Sequence, residues 1–318
     1  MNSRRSTGHL LSGVFISALC FGCTSLSPPV ACELPHSPVP SLPERGISAH
    51  RGGILGCPVN TIGAFQRAIC HGVHQIEFDV RITADEELVI AHDDHVTDAH
   101  GKKLMISETT LSEVQALRFK PCKGEDIGQN ISTLEEVLTM MPQNIWLNVD
   151  IKENNPRVTR LVAEVVAKTN RFHQVIFSSR KPADLAVHEV ANKAGVKSWV
   201  GNMSRQFFRS QYIKTTIHAC DEFIQLTFLR GRPNRKTIIR LQQKGVRINY
   251  SWLRTKKKGK LRKDLHDLFD RKVDFVLVDH AKPALEVACD LGIPPVIPQL
   301  NGKLPSFCPI SPRCDSDS

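Results

Sequence analysis

From residue 47 to about residue 291 the chain alternates short apolar runs with longer stretches of helical period. This alternation restricts the fold more than any other feature. Strands separated by helices pair in parallel, and a parallel sheet is buried on both faces, so helices must cover it. Strands are expected at Ile47–His50, Gln75–Val80, Leu88–His92, Ile145–Ile151, Gln174–Ser179, Lys197–Gly201, Phe223–Thr227, Val246–Ser251 and Phe275–Asp279. Helices are expected at Thr61–His71, Ser132–Met141, Arg157–Asn170, Pro182–Ala194, Thr237–Lys244, Leu261–Arg271 and Lys282–Leu291. Alternation over about 250 residues predicts an α/β fold of the TIM (β/α)8 barrel class. An open doubly wound sheet is the alternative, but no Gly-rich dinucleotide or phosphate fingerprint follows an early strand. Residues 93–131 fit the alternation poorly and are expected to form a small insertion over one face.

Ahead of this region lies a different composition. Arg4 and Arg5 precede the apolar stretch Leu10–Cys23, the layout of an export signal over residues 1–23. That stretch is shorter than the roughly 20 residues a membrane span needs. Gly22-Cys23 resembles a bacterial lipoprotein cleavage site with Cys23 as the lipidated residue; a plain cleaved signal and an uncleaved anchor are the alternatives. Residues 24–45 read as a Pro/Ser-rich linker, 46–298 as the barrel and 299–318 as a C-terminal tail. The expected location is outside the cytoplasm, in a bacterial periplasm or held at a membrane as a lipoprotein. None of the ten cysteines falls in a zinc-ligand spacing. Export permits disulfides, and Cys308 and Cys314 are expected to close a small loop in the tail. The others sit mainly in apolar runs, as core thiols do.

The formal net charge is +10, and much of it is local: Arg254–Lys263 reads RTKKKGKLRK. Such a run is a solvated loop or a contact for anionic lipid head groups. No helix-turn-helix, RNA-binding or zinc-finger pattern surrounds it, so no nucleic-acid partner is expected.

The polar residues at the expected strand ends carry the chemistry. In a barrel, ionisable side chains at the C-terminal ends of strands face the site-bearing side. His50 ends the first strand, Glu77 and Asp79 lie late in the second, His92 closes the next, and Asp150 and Lys152 end the one after. Glu77 and Asp79 are two residues apart, so both project to one side, with Ile76 and Phe78 on the other. Two close carboxylates repel unless a cation or a shared proton intervenes, and with Asp150 as a third oxygen donor one Ca²⁺ or Mg²⁺ answers that need. Histidine titrates near neutrality, so His50 and His92 suit the acid and base work of phosphodiester cleavage. Arg51 offers a planar fork for phosphate oxygens and Lys152 a point charge. Asn60 is placed to cap the helix that begins near Thr61 and also to bind a phosphate oxygen or hold a catalytic residue, and these roles can coexist.

The blocks His50-Arg51-Gly52-Gly53, Pro58-Val59-Asn60-Thr61, Glu77-Phe78-Asp79-Val80 and His92-Asp93 resemble the glycerophosphodiester phosphodiesterase family. Ser132–Leu138 is similar to the family segment before the third strand, and Val278-Asp279 to its last strand end. The resemblance covers roughly residues 46–290 and is dense only in the N-terminal half. It implies a barrel with an insertion after His92, one divalent cation held by Glu77, Asp79 and Asp150, and acid and base duties shared by His50 and His92. The implied reaction is metal-dependent hydrolysis of small-molecule glycerophosphodiesters to glycerol 3-phosphate and an alcohol. Three departures stand out. Asp150 replaces the usual Glu of an acid-x-Lys pair, Glu86-Glu87 replaces an Asp-Gly turn, and Ile248–Trp252 replaces an aromatic segment on the seventh strand that would place Trp252 on the substrate wall. A phospholipase D of the sphingomyelinase D kind on the same barrel is a second reading. A non-catalytic, surface-anchored binding protein is a third.

Overall fold

The computed structural model describes residues 41–125, 128–153, 155–179, 184–202, 222–227 and 234–314. The signal segment, Cys23 and the linker up to residue 40 lie outside them. In chain order the elements are β1 (Gly46–His50), α1 (Ile62–Cys70), β2 (Gln75–Ile82), β3 (Leu88–Ile90), β4 (His95–Thr97), β5 (Lys103–Met105), α2 (Leu111–Ala116), α3 (Leu134–Met140) and β6 (Trp146–Ile151). Then follow α4 (Pro156–Lys168), β7 (Val175–Ser179), α5 (Asp184–Ala194), β8 (Trp199–Asn202), β9 (Phe223–Thr227), α6 (Arg235–Gln242), β10 (Arg247–Leu253), α7 (Lys258–Asp270), β11 (Phe275–Val278) and α8 (Ala281–Asp290).

Eight parallel strands run β1-β11-β10-β9-β8-β7-β6-β2, and β1 pairs with β2 to close the ring. The fold is therefore a TIM (β/α)8 barrel. The period-2 pattern of each strand explains its two faces. Outward residues such as Ile47, Ile76, Phe78, Val149, Phe177, Ile224, Ile248 and Val276 join one apolar core with the helices. Phe78, for example, meets Phe65 of α1 with ring centroids 5.6 Å apart.

Inward residues form a gradient of polarity. Trp146, Ile176, Phe223 and Phe275, with Leu42 and Trp199 against them, fill the end where the strands begin. Above this plug sit buried Ser48, Gln75, Asn148, Ser178 and Asn249. Ser178 Oγ donates to Asn148 Oδ1 at 2.7 Å, and Asn249 Nδ2 to Gln75 Oε1 at 3.1 Å. The carboxylates come last, where the strands end.

Four expectations need correction. Leu88–His92 is not a barrel strand: β3 returns antiparallel along β2, with Val80 opposite Ile90. The connection Thr83–Glu87 is far too short for a parallel crossover, which needs a dozen or more residues, so only a hairpin can form. The end of the linker belongs to the fold, because Leu42 packs on the plug and Pro43 O accepts from Trp146 Nε1 at 2.9 Å. The tail is likewise part of the fold. Gln299 N–H donates to Asn144 Oδ1 at 2.8 Å, Gln143 N–H to Gln299 O at 2.7 Å, and Asn301 N–H to Gln143 Oε1 at 2.9 Å. Finally, Cys308 and Cys314 do not pair with each other. The disulfides are Cys57–Cys122, Cys70–Cys308 and Cys289–Cys314, so these six are not core thiols.

The insertion has a core of its own, made by Val89, Ala91, Val96, Ile106, Val114, Leu117 and Ile131. It comprises the β4–β5 hairpin and α2, whose Thr110 and Glu113 form a capping box. The Cys57–Cys122 bridge ties it to the β1–α1 loop. No helix among the described residues is long and apolar enough to cross a membrane.

His74 sits under the barrel between β1 and β2, almost fully buried. Its Nδ1 accepts from Ile47 N–H at 3.2 Å and its Nε2 lies 2.9 Å from Pro294 O, a pairing that suits the neutral ring. Burial lowers its pKa to about 4 from 6.5. The native state therefore resists a proton that the unfolded chain accepts. His74 stabilises fully above the unfolded pKa, and that contribution is lost as pH falls towards the folded one. A shift of this size corresponds to roughly 3 kcal/mol. Urea unfolding across this range should show His74→Gln losing that part of the pH slope; an unchanged slope would remove His74 from the acid response.

Candidate active site

The loop after β1 is built from backbone conformations that few residues adopt. Arg51, Gly52 and Gly53 have φ of 54°, 83° and 78°, all left-handed. Two glycines lower the cost of that reversal, and at Gly52 an added Cβ would come within 3.0 Å of Ala64. Arg51 bears the strain without that help, which marks a position fixed by its surroundings. The reversal turns the Arg51 N–H onto Glu77 Oε2 at 3.1 Å and its guanidinium Nε towards Asp79 Oδ2, also at 3.1 Å.

Asn60 is a second left-handed residue, at φ 59°. It does not cap α1; Thr61 does, accepting from Ala64 N–H. Asn60 Nδ2 instead donates to Asp79 Oδ2 at 2.8 Å, a contact that ties it to another residue of the expected site.

Glu77 and Asp79 face inward from β2, and Asp150 lies opposite Asp79 in register on β6. Oxygen atoms of all three lie within 4.8 Å of one another, a set that could hold a metal ion. Lys152 Nζ reaches both Asp150 Oδ2, at 2.6 Å, and Asp79 Oδ1, at 2.5 Å. Burial, then the charges of Asp79 and Asp150, push Glu77 well above the usual carboxylate range. Burial acts the same way on Asp79, but Lys152, Asn60 and Arg51 outweigh it and hold Asp79 low. Burial works against the charge on Lys152, and the two aspartates overcome it and hold its pKa above that of an ordinary lysine. A carboxylate whose pKa is raised in this way beside two others fits a site for a hard divalent cation. The shorter Asp150 reaches the cluster, so the exchange from Glu leaves three donors in place.

His50 Nδ1 lies 2.7 Å from Asp279 Oδ1, just past the end of β11. Asp279 was legible only as a strand end; its task of orienting His50 comes from the closure of the barrel, which brings the last strand beside the first. His92 does not end a barrel strand, yet β3 returns it to the same level, since Ala91 N–H donates to Asp79 O at 3.0 Å. His92 is 41% exposed and its Nδ1 lies 2.7 Å from Asp93 Oδ1. Arg81 clamps its carbonyl with two hydrogen bonds, at 3.0 and 2.8 Å, a support the sequence did not single out. Trp252 falls at a register shift of β10 against β11, between Ser251 and Leu253; its side chain lies outside the described residues.

The model of the glycerophosphoryl diester phosphodiesterase family matches residues 50–282, a span that holds every one of these groups. The chain belongs to this family. It is 34% identical over 140 residues to a human lysophospholipase D, a match covering 41% of this chain and 44% of that protein. It is 33% identical over 138 residues to a glycerophosphodiester phosphodiesterase of Caldanaerobacter subterraneus, covering 42% and 57%. The matches thus span about half the length of these curated relatives. Among solved structures, the fold is shared with a glycerophosphodiester phosphodiesterase from Agrobacterium tumefaciens at TM-score 0.60 and 19% identity, covering 76% of this chain and 99% of that one. It is also shared with an Oleispira antarctica phosphodiesterase in complex with the product sn-glycerol-3-phosphate, at TM-score 0.59 and 18% identity, covering 77% and 96%.

A cation entering this cluster competes with protons for Glu77, whose pKa is raised by burial and by the neighbouring acids. Fewer protons need displacing as pH rises, so Ca²⁺ or Mg²⁺ should bind more tightly at about pH 8 than at about pH 6, with proton release. Calorimetric titration in two buffers of different ionisation enthalpy reads both quantities. Affinity independent of pH would contradict the raised Glu77 pKa.

Proposed function

We propose that this protein is an exported, divalent-cation-dependent hydrolase that converts glycerophosphodiesters to glycerol 3-phosphate and an alcohol. The observation that carries the proposal is the joint assembly at one barrel mouth of two aspartate-bonded histidines, His50 and His92, with the Glu77, Asp79 and Asp150 cluster. Family membership supports the reaction class, and the product complex of the Oleispira antarctica neighbour fits the same product.

His50 and His92 share the proton work. With Asp279 accepting from Nδ1 of His50, the neutral ring carries its lone pair on Nε2, the arrangement of a general base; protonated, the same nitrogen is an acid. Asp93 plays the corresponding part for His92. One proton is taken from the attacking water and one is given to the departing alcohol oxygen. Arg51 and Lys152 are the cations that meet the phosphate oxygens, and Asn60 keeps Asp79 aimed at the cluster. When bound by Glu77, Asp79 and Asp150, Ca²⁺ or Mg²⁺ supplies Lewis-acid stabilisation of the charge that grows on phosphorus-bound oxygen.

Export has its own support. The N-terminal charge pattern is that of a signal segment, and three disulfides suit an oxidising compartment. A lipid on Cys23 is the form of attachment we favour. A second substrate reading is a lysophospholipid, which carries the same phosphodiester bond with an acyl chain added. Exposed Ile54 and Val59 on the β1–α1 loop favour it, as does the human relative.

A coupled glycerol-3-phosphate assay across several glycerophosphodiesters, with each metal, tests the proposal. His50→Ala and His92→Ala should each cost at least ~10²-fold in turnover with the fold intact. Asp279→Asn should lower kcat by about the same factor and leave KM little changed, because it misorients His50. Chelation with EDTA should silence the enzyme reversibly. Turnover of lysophospholipids alone would shift the assignment to the second reading, and no turnover of any diester would favour a binding protein.

A further inference from the structure

The basic run Arg254–Lys263 is absorbed by no step of the chemistry, and the fold puts its beginning on the catalytic face. Residues 254–257 link the end of β10 to the start of α7, so they lie on the side where the strands end. Arg254, 71% exposed, has Nε 3.9 Å from Asp279 Oδ2. The Ile54 N–H donates to the Asp279 carbonyl at 2.6 Å, and the Ile54 side chain is 52% exposed. A cation and an apolar side chain thus flank the residue that orients His50.

The simplest reading of such a run is a solvated face. Its position on α7 argues otherwise. A helix N-terminus is the positive end of the helix dipole, where cations are disfavoured. Yet Lys257 is the N-cap of α7 with no side-chain cap, and the first turn holds no acid. Elsewhere the chain caps with care: Thr110 and Thr133 both complete capping boxes with a glutamate. Nor do neighbours cancel the charge. Lys258 pairs with Glu286 and Arg262 with Asp290, but among the described residues no carboxylate pairs with Lys256, Lys257, Lys260 or Lys263. A locally unfavourable arrangement kept without compensation points to an external anion. Its extent along the rim, beside exposed apolar Ile54, fits an extended anionic surface with an oily interior better than one small ion.

We propose that this rim docks the catalytic face on an anionic lipid surface. The docking is independent of which diester is cleaved. Lys256, Lys257 and Lys260 supply the attraction, and Ile54 enters the head-group layer. A basic side chain near an anionic leaflet is worth roughly a fivefold change in partition, so three give about 10²-fold.

The test is partition of the full chain onto phosphatidylcholine vesicles with and without about 30 mol% phosphatidylglycerol. Pure phosphatidylcholine reports any contribution of the N-terminal apolar stretch, and the increment with phosphatidylglycerol reports the rim. The triple variant Lys256→Gln, Lys257→Gln, Lys260→Gln should lose about 10²-fold of that increment. Its melting temperature should be unchanged or higher, because like charge leaves a helix N-terminus, so misfolding cannot imitate the effect. Its kcat/KM on soluble glycerophosphocholine should stay within about twofold of the parent. Ile54→Asn should lower the increment about threefold. An absent increment in the parent, or one unchanged in both variants, overturns the proposal. Equal losses on vesicles and on the soluble diester also overturn it, since the run would then serve the substrate's own head group. Partition needs no turnover, so failure of the hydrolase assignment would be seen separately.

Discussion

Glu77, Asp79 and Asp150 crowd together where solvent is scarce, and their mutual repulsion is the constraint to which the upper half of the barrel answers. Two cations and an amide are folded in around them. Lys152 bridges two of the acids, Arg51 reaches Asp79 from a left-handed turn, and Asn60 reaches it from another. Even so, burial and the two neighbouring acids raise the Glu77 pKa well above the usual carboxylate range. The strained loop and the buried lysine are features no barrel needs for folding. They follow from keeping three acids side by side.

The lower half of the interior answers a different demand. A ring of eight parallel strands leaves a channel that must be filled. Here Trp146, Trp199, Phe223 and Phe275 fill it, with Trp146 and Trp199 edge to face at 5.3 Å. A band of serine and amide side chains separates that plug from the acids. Polarity therefore rises along the barrel axis from the aromatic plug to the acids.

Much of this was legible in the sequence because it depends on period and on neighbours in the chain. The alternation gave the barrel, and the i, i+2 rule put Glu77 and Asp79 inward with Phe78 outward. Legibility failed where contact is made across long sequence distance. Asp279 holds His50 only because the barrel closes, and nothing local to either residue says so. The disulfide partners failed for the same reason: Cys308 and Cys314 are near in sequence, yet each finds a partner brought close by the fold. The strand Leu88–Ile90 was found but misplaced, because its apolar content is that of a barrel strand and only the short turn before it betrays the reversal.

The bridge between Cys70 and Cys308 encloses most of the barrel in one covalent loop. A peptide bond broken anywhere between those two cysteines leaves the two pieces still joined. A chain so connected can be nicked in an exposed loop and keep all its strands in one molecule, with the ring free to re-form after a local opening. Survival after cleavage is then a property of the protein's connectivity as well as of its packing.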